Sequence, residues 1–186
     1  MRVLLTSAGL ETEKIKACFV KMLGKEPSRV KALFIPTAAV EPGAIAVLPK
    51  CMNDLLKCGI QEENIRVFDL HTGMSPAQLQ KYDVVYLCGG KTAYLLERVN
   101  ATGFRTALME YIRSDGMVIG VSAGSILFAN NLENNLGLLD TRLDVHCPEG
   151  EAEGKVAWPL KANLRLTNTC ALIVRDFPDG LEIIGT

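Results

Sequence analysis

The segment Gly120-Val121-Ser122-Ala123-Gly124-Ser125 closes the apolar run MVIGVS at 117–122 and leads directly into ILFA at 126–129. A serine on a turn between a buried strand and a helix is held in a strained backbone conformation, with its hydroxyl directed away from the sheet. Glycine or alanine must flank it, because strand and helix pass close together there. Backbone N–H groups at the head of the helix can then stabilise an oxyanion. The pattern is that of an acyl-transfer nucleophile; the competing reading is a tight turn in which Ser122 merely caps a helix. Ser125, three residues on, is expected to hydrogen-bond locally or to line the pocket and touch substrate.

A serine nucleophile needs a base, and the chain has two histidines, His71 and His146. His146 follows the serine and an extended run, at a sheet end from which a loop can fold back over the nucleophile, so it is the better base. His71, in the loop HTGMS at 71–75, reads as a surface residue. Neighbouring side chains of an extended segment point to opposite sides, so a His146 facing Ser122 turns Cys147 away. A second loop, Cys88-Gly89-Gly90-Lys91-Thr92, also links an apolar strand to a helix. Its paired glycines allow close backbone approach, so Gly89 or Gly90 can supply a further oxyanion amide. Lys91 would bring positive charge to the pocket mouth and attract a substrate carboxylate. Neither loop matches a nucleotide-binding glycine pattern.

The elements that must position these groups alternate along the chain. Apolar runs at 2–7, 29–35, 65–69, 83–88 and 117–122 read as strands. Helices are expected over 12–23, ending at Gly24, and over 42–58, with Pro49 implying a break or a late start. Ser75-Pro76 marks a short helix, and 92–98 and 102–113 complete the helical set. Strands that are apolar throughout and separated by helices form a parallel sheet covered on both faces. The last third reads as short extended segments at 137–145, 163–166, 170–175 and 181–184. The last two form a hairpin through Pro178, Asp179 and Gly180 at the sheet's edge. HCPEGEAEGK at 146–155 reads as an exposed loop, and Trp158 and Phe177 as core or edge-covering aromatics.

The composition narrows the class. At 186 residues and 48% hydrophobic, the chain suits one domain over 1–186 with a substantial core. Twenty basic residues against 21 acidic ones give a net charge of −1, which argues against nucleic acid as the main partner. No apolar run reaches the roughly 18 residues of a membrane span, and no membrane partner is expected. MRVLLTSAG is too short an apolar stretch for a leader and reads as a buried first strand. Six cysteines without a CxxC pair, and so few histidines, point to reduced thiols, no metal site and a cytoplasmic location.

The segments LLTSAG, FIPTAA, YDVVYLCGGKT, LLERVNATGF, YIRSDG, IGVSAGSIL, GLLD and LRLTNTCALIV, in that order, resemble the peptidase E family of serine peptidases, which includes cyanophycinase. The resemblance implies an α/β three-layer sandwich with a mostly parallel central sheet, like that of the class I glutamine amidotransferases. It implies Ser122 as nucleophile, His146 as base and backbone oxyanion donors at Gly89 or Gly90 and at Ala123. The expected substrates are small peptides or amides, led by an N-terminal aspartate in the best-known branch, with no cofactor. Three departures stand out. Lys91 sits where the family has Asn or Asp, the segment from Ser122 to His146 is short, and the third catalytic residue, expected to be acidic, is matched by Asn168. Glu149, Glu151 or Glu153 could supply the missing acid. These features leave three readings: a serine peptidase with a small, polar pocket, a non-catalytic binding or regulatory protein that keeps the fold, or an esterase or amidase that uses the same Ser122 chemistry on a non-peptide metabolite.

Overall fold

The computed structural model describes residues 1–157, 159–175 and 180–185. Its centre is a parallel set of five strands, β1 (Arg2–Thr6), β2 (Ala32–Ile35), β3 (Ile65–Val67), β4 (Val84–Leu87) and β5 (Met117–Val121), in the order β3-β2-β4-β5-β1. All residues of β2, β4 and β5 are buried, as expected for strands covered on both faces. In register, Gly120 lies opposite both Leu87 and Leu5, and Val121 opposite Thr6. The loops after β1, β4 and β5 therefore leave the sheet at one end, side by side.

Helices α1 (Glu13–Leu23), α2 (Pro42–Lys57), α3 (Pro76–Leu79), α4 (Thr92–Ala101), α5 (Phe104–Arg113) and α6 (Ala123–Ile126) cover the sheet. Alternate strand residues separate the core into two layers. Val3, Leu5, Val85 and Val118 pack with α4 and α5, whereas Leu4, Phe34, Tyr86 and Ile119 pack with α1 and α2. The α/β three-layer sandwich expected from the sequence is thus the observed fold.

Local chemistry sets most boundaries. Thr12 caps α1 by accepting from the Ile15 N–H, and Gly24 ends it in the left-handed region at φ 68°. Ser75 and Gln78 form a reciprocal capping box on α3. The second strand is shorter than the expected 29–35, because Pro27–Arg29 forms a 3-10 turn. The expectation of a break in α2 fails. The helix runs through Pro49, and the carbonyl that loses its N–H partner belongs to Ile45, which is 50% exposed and open to solvent.

Beyond the elbow the chain adds β6 (Arg142–Asp144), β7 (Gly154–Lys155), β8 (Asn163–Arg165), β9 (Ala171–Val174) and β10 (Leu181–Ile184). The expected hairpin is present: β9 pairs antiparallel with β1, and β10 with β9, at the edge of the parallel set. The stretch expected as a loop at 146–155 contributes β7, which pairs with β10. Only 142–144 of the expected 137–145 segment is strand, and it pairs in parallel with β8 as a separate two-stranded ladder. Trp158, Phe177, Pro178 and Asp179 lie outside the described residues.

Candidate active site

Ser122 stands between β5 and α6 with φ 50° and ψ −109°, a conformation costly for a side-chain-bearing residue. The flanking glycines are required by contact. A Cβ on Gly120 would lie 2.5 Å from the Gly124 carbonyl oxygen, and one on Gly124 would lie 2.3 Å from that of Leu87. The end of β1 pins the turn. The Ser122 N–H donates to the Thr6 carbonyl at 2.9 Å, and the Thr6 hydroxyl donates to the Gly120 carbonyl at 2.9 Å. These bonds counter the strain at the serine.

His146 Nε2 lies 3.0 Å from Ser122 Oγ, and its Nδ1 lies 2.7 Å from Asn168 Oδ1. An amide oxygen can only accept, so Nδ1 carries the proton and Nε2 presents its lone pair to the Ser122 hydroxyl. The geometry is that of a nucleophile–base–orienter relay. The β6–β8 ladder brings the second and third members together. Asp144 is in register with Arg165, and the Leu166 N–H donates to the Asp144 carbonyl at 2.8 Å. His146 and Asn168 therefore emerge two and three residues beyond the same end of the ladder. Ser7, just past β1, fixes the histidine. Its buried hydroxyl accepts from the His146 N–H at 3.2 Å and donates to the Leu166 carbonyl at 3.0 Å. Ser7 was missed as a site residue, since in sequence it reads only as the last residue of a strand.

The glycine loop reaches Ser122. A Cβ on Gly89 would lie 3.2 Å from Ser122 Cβ, and Gly90, at φ 140°, leaves no room for one beside the Ala38 carbonyl. Both glycines and Ser122 line one cavity of about 210 Å³, together with His146. Two expected substrate contacts are not there. Ser125 is fully buried, its hydroxyl donating to the Thr6 carbonyl at 2.8 Å and accepting the Thr6 N–H at 2.9 Å. Both its hydrogen-bonding roles go to joining β1 to α6, so it cannot touch substrate. Lys91 is exposed, precedes α4 and does not line the cavity. The candidate acids are also elsewhere: Glu151 pairs with Lys161, Glu153 with Lys14, and Glu149 is exposed. Among the described residues no carboxylate bonds to His146. His71 pairs with Asp69 at 3.1 Å.

The far wall of the cavity is α2, which the sequence did not connect with the site. The Lys50 ammonium donates to the Ala8 carbonyl at 2.6 Å and pairs with Glu11 at 2.8 Å and Asp54 at 3.7 Å. Asp54 is buried and accepts from the Leu10 N–H and the Tyr86 hydroxyl. Hydrogen bonding from Cys88 lowers the neighbouring Cys51 thiol to about 7, whereas burial raises that of Cys88. All six cysteines are unpaired.

The description of peptidase family S51 matches residues 3–141, a span that takes in Gly89, Gly90 and Ser122 and stops short of His146 and Asn168. An uncharacterized peptidase of Listeria monocytogenes is 30% identical over 74 residues, which are 40% of this chain and 36% of that protein. An uncharacterized peptidase of Pasteurella multocida is 34% identical over 56 residues, 30% of this chain and 27% of its own length. The chain thus spans about a third or less of the curated relatives it matches. A crystal structure of a Listeria monocytogenes protein provisionally named peptidase E is similar with a TM-score of 0.75 at 21% identity, over 100% of this chain and 97% of that one. A peptidase from an acI-B1 actinobacterium gives 0.67 at 16% identity, over 100% and 87%. At such identities these two likenesses establish the fold.

Proposed function

The chain belongs to peptidase family S51, and from that premise we propose that it is a serine hydrolase of small peptides or amides, with Ser122 as nucleophile. One observation carries the reading: the relay Ser122–His146–Asn168, with steps of 3.0 and 2.7 Å, built at a strained turn. Ser122 Oγ attacks the substrate carbonyl carbon while its proton passes to His146 Nε2. The tetrahedral oxyanion is held by the N–H of Ala123 and that of Gly89 or Gly90. As the intermediate collapses, the imidazolium returns its proton to the departing amine and leaves an ester on Ser122. Water then attacks the ester with His146 taking its proton, and as the bond to Ser122 Oγ breaks the imidazolium returns that proton to Oγ, releasing the acid product and restoring the enzyme.

Asn168 keeps His146 in the tautomer this sequence needs, but it brings no charge to the imidazolium. The proposed enzyme is therefore slower than one with an aspartate there. An intact relay favours turnover over the non-catalytic reading, which would not require the nucleophile and base to remain in contact. Unpaired thiols fit a reducing compartment such as the cytoplasm, and no helix among the described residues is long and apolar enough to cross a membrane. Hydrolysis of a broad dipeptide and amino-acid amide series by wild type and Ser122→Ala tests the proposal. Cleavage that Ser122→Ala abolishes supports it. Cleavage that survives in Ser122→Ala overturns it.

A further inference from the structure

The cavity beside Ser122 is not the polar pocket expected from the sequence. Ala44, Val47 and Leu48 of α2 form one wall, and Ala8 and Val121 narrow the space towards the serine. The single ionised lysine or carboxylate side chain lining it among the described residues is Lys50. That ammonium is already committed to Glu11, to Asp54 and to the Ala8 carbonyl. Two carboxylates face one cation, so the local balance is negative, and an incoming carboxylate would meet repulsion. It would also lose hydration against aliphatic groups that offer it no hydrogen bond. Val47 remains 48% exposed although it lines the cavity. A large apolar side chain left open in a cavity beside Ser122 marks a place that a ligand covers.

We infer that this cleft receives the side chain of the residue whose carbonyl is attacked, and that it selects aliphatic side chains over acidic ones. The assignment to the scissile residue rests on the proposed Ser122 chemistry, whereas the selectivity belongs to the cleft itself. It departs from the aspartate-first substrates that the family resemblance implies. Lys50 is then a positioning residue: its contacts with Ala8 and Glu11 tie α2 to the loop after β1 and fix the width of the cleft.

Binding to Ser122→Ala, measured by calorimetry, separates recognition from turnover. Leu-Leu and Val-Leu should bind at least about tenfold more tightly than Asp-Leu, the discrimination that one side chain can supply in an apolar pocket. Val47→Asp, at a half-exposed position that tolerates the change, should weaken the aliphatic dipeptides by a similar factor with an unchanged melting temperature. Asp-Leu binding as tightly as Leu-Leu overturns the inference, as does the absence of binding by any dipeptide or indifference to Val47→Asp. Labelling of wild-type Ser122 by a fluorophosphonate reports separately on the nucleophile. Failure to label removes the catalytic reading, while the binding series still judges the cleft.

Discussion

Replacing Asn168 with aspartate puts a carboxylate 2.7 Å from His146 Nδ1 in place of an amide oxygen. Two unit charges about 4 Å apart attract by about 4 kcal/mol at an effective dielectric of 20. Both side chains are exposed, so solvent reduces that figure. The net gain falls to about 1.5–3 kcal/mol, the range of a hydrogen bond to a charged group. The charge on His146 develops during attack, so the gain belongs to the transition state and should raise kcat about tenfold to a hundredfold with little change in KM. Steady-state kinetics near neutral pH on any cleaved substrate read kcat and KM separately. An unchanged kcat refutes the reasoning that His146 lacks a charged partner.

Ser7→Ala removes the acceptor of the His146 N–H and the donor to Leu166. It should lower kcat about tenfold and stability by about 1–2 kcal/mol, read by kinetics and denaturant melts. Gly89→Ala places a methyl 3.2 Å from Ser122 Cβ at a position without a left-handed φ. Its kcat should fall about a hundredfold with the fold intact, as circular dichroism and kinetics will report. Ser125→Ala loses both bonds to Thr6 and leaves the buried Thr6 N–H unmatched, while the Thr6 carbonyl keeps the Ser122 N–H. It should cost about 2–3 kcal/mol of stability yet leave the ranking of substrates unchanged.

The parallel half of the molecule was legible in the sequence because its strands are buried on both faces and appear as unbroken apolar runs. Those runs end at CGG and GVSAGS, so the elbow and the glycine loop could be placed before any geometry was known. His146 followed from the scarcity of histidines, and Asn168 only from the family resemblance. The ladder that joins them was not legible. Its strands have three residues each, too short for a period, and their pairing depends on a register that only the folded chain sets. Lys91 and Ser125 were misread for one reason: nearness in sequence to a catalytic motif does not fix where a side chain goes. The N–H of Lys91 bonds to the Ala38 carbonyl at the start of α4, while Ser125 turns inward onto β1. The cavity wall was missed because α2 is more than sixty residues from Ser122, and which of its faces meets the site depends on how it packs on the sheet.

In the proposed reaction His146 activates Ser122 for attack on a carbonyl. Intact-mass measurement after incubation with an alkyl fluorophosphonate reads this without the right substrate, since the reagent adds to an activated serine. One adduct is expected, mapped to Ser122 by peptide analysis, absent in Ser122→Ala and formed at least about a hundredfold more slowly in His146→Ala. No adduct on folded wild-type protein, or labelling that proceeds equally fast without His146, would contradict it.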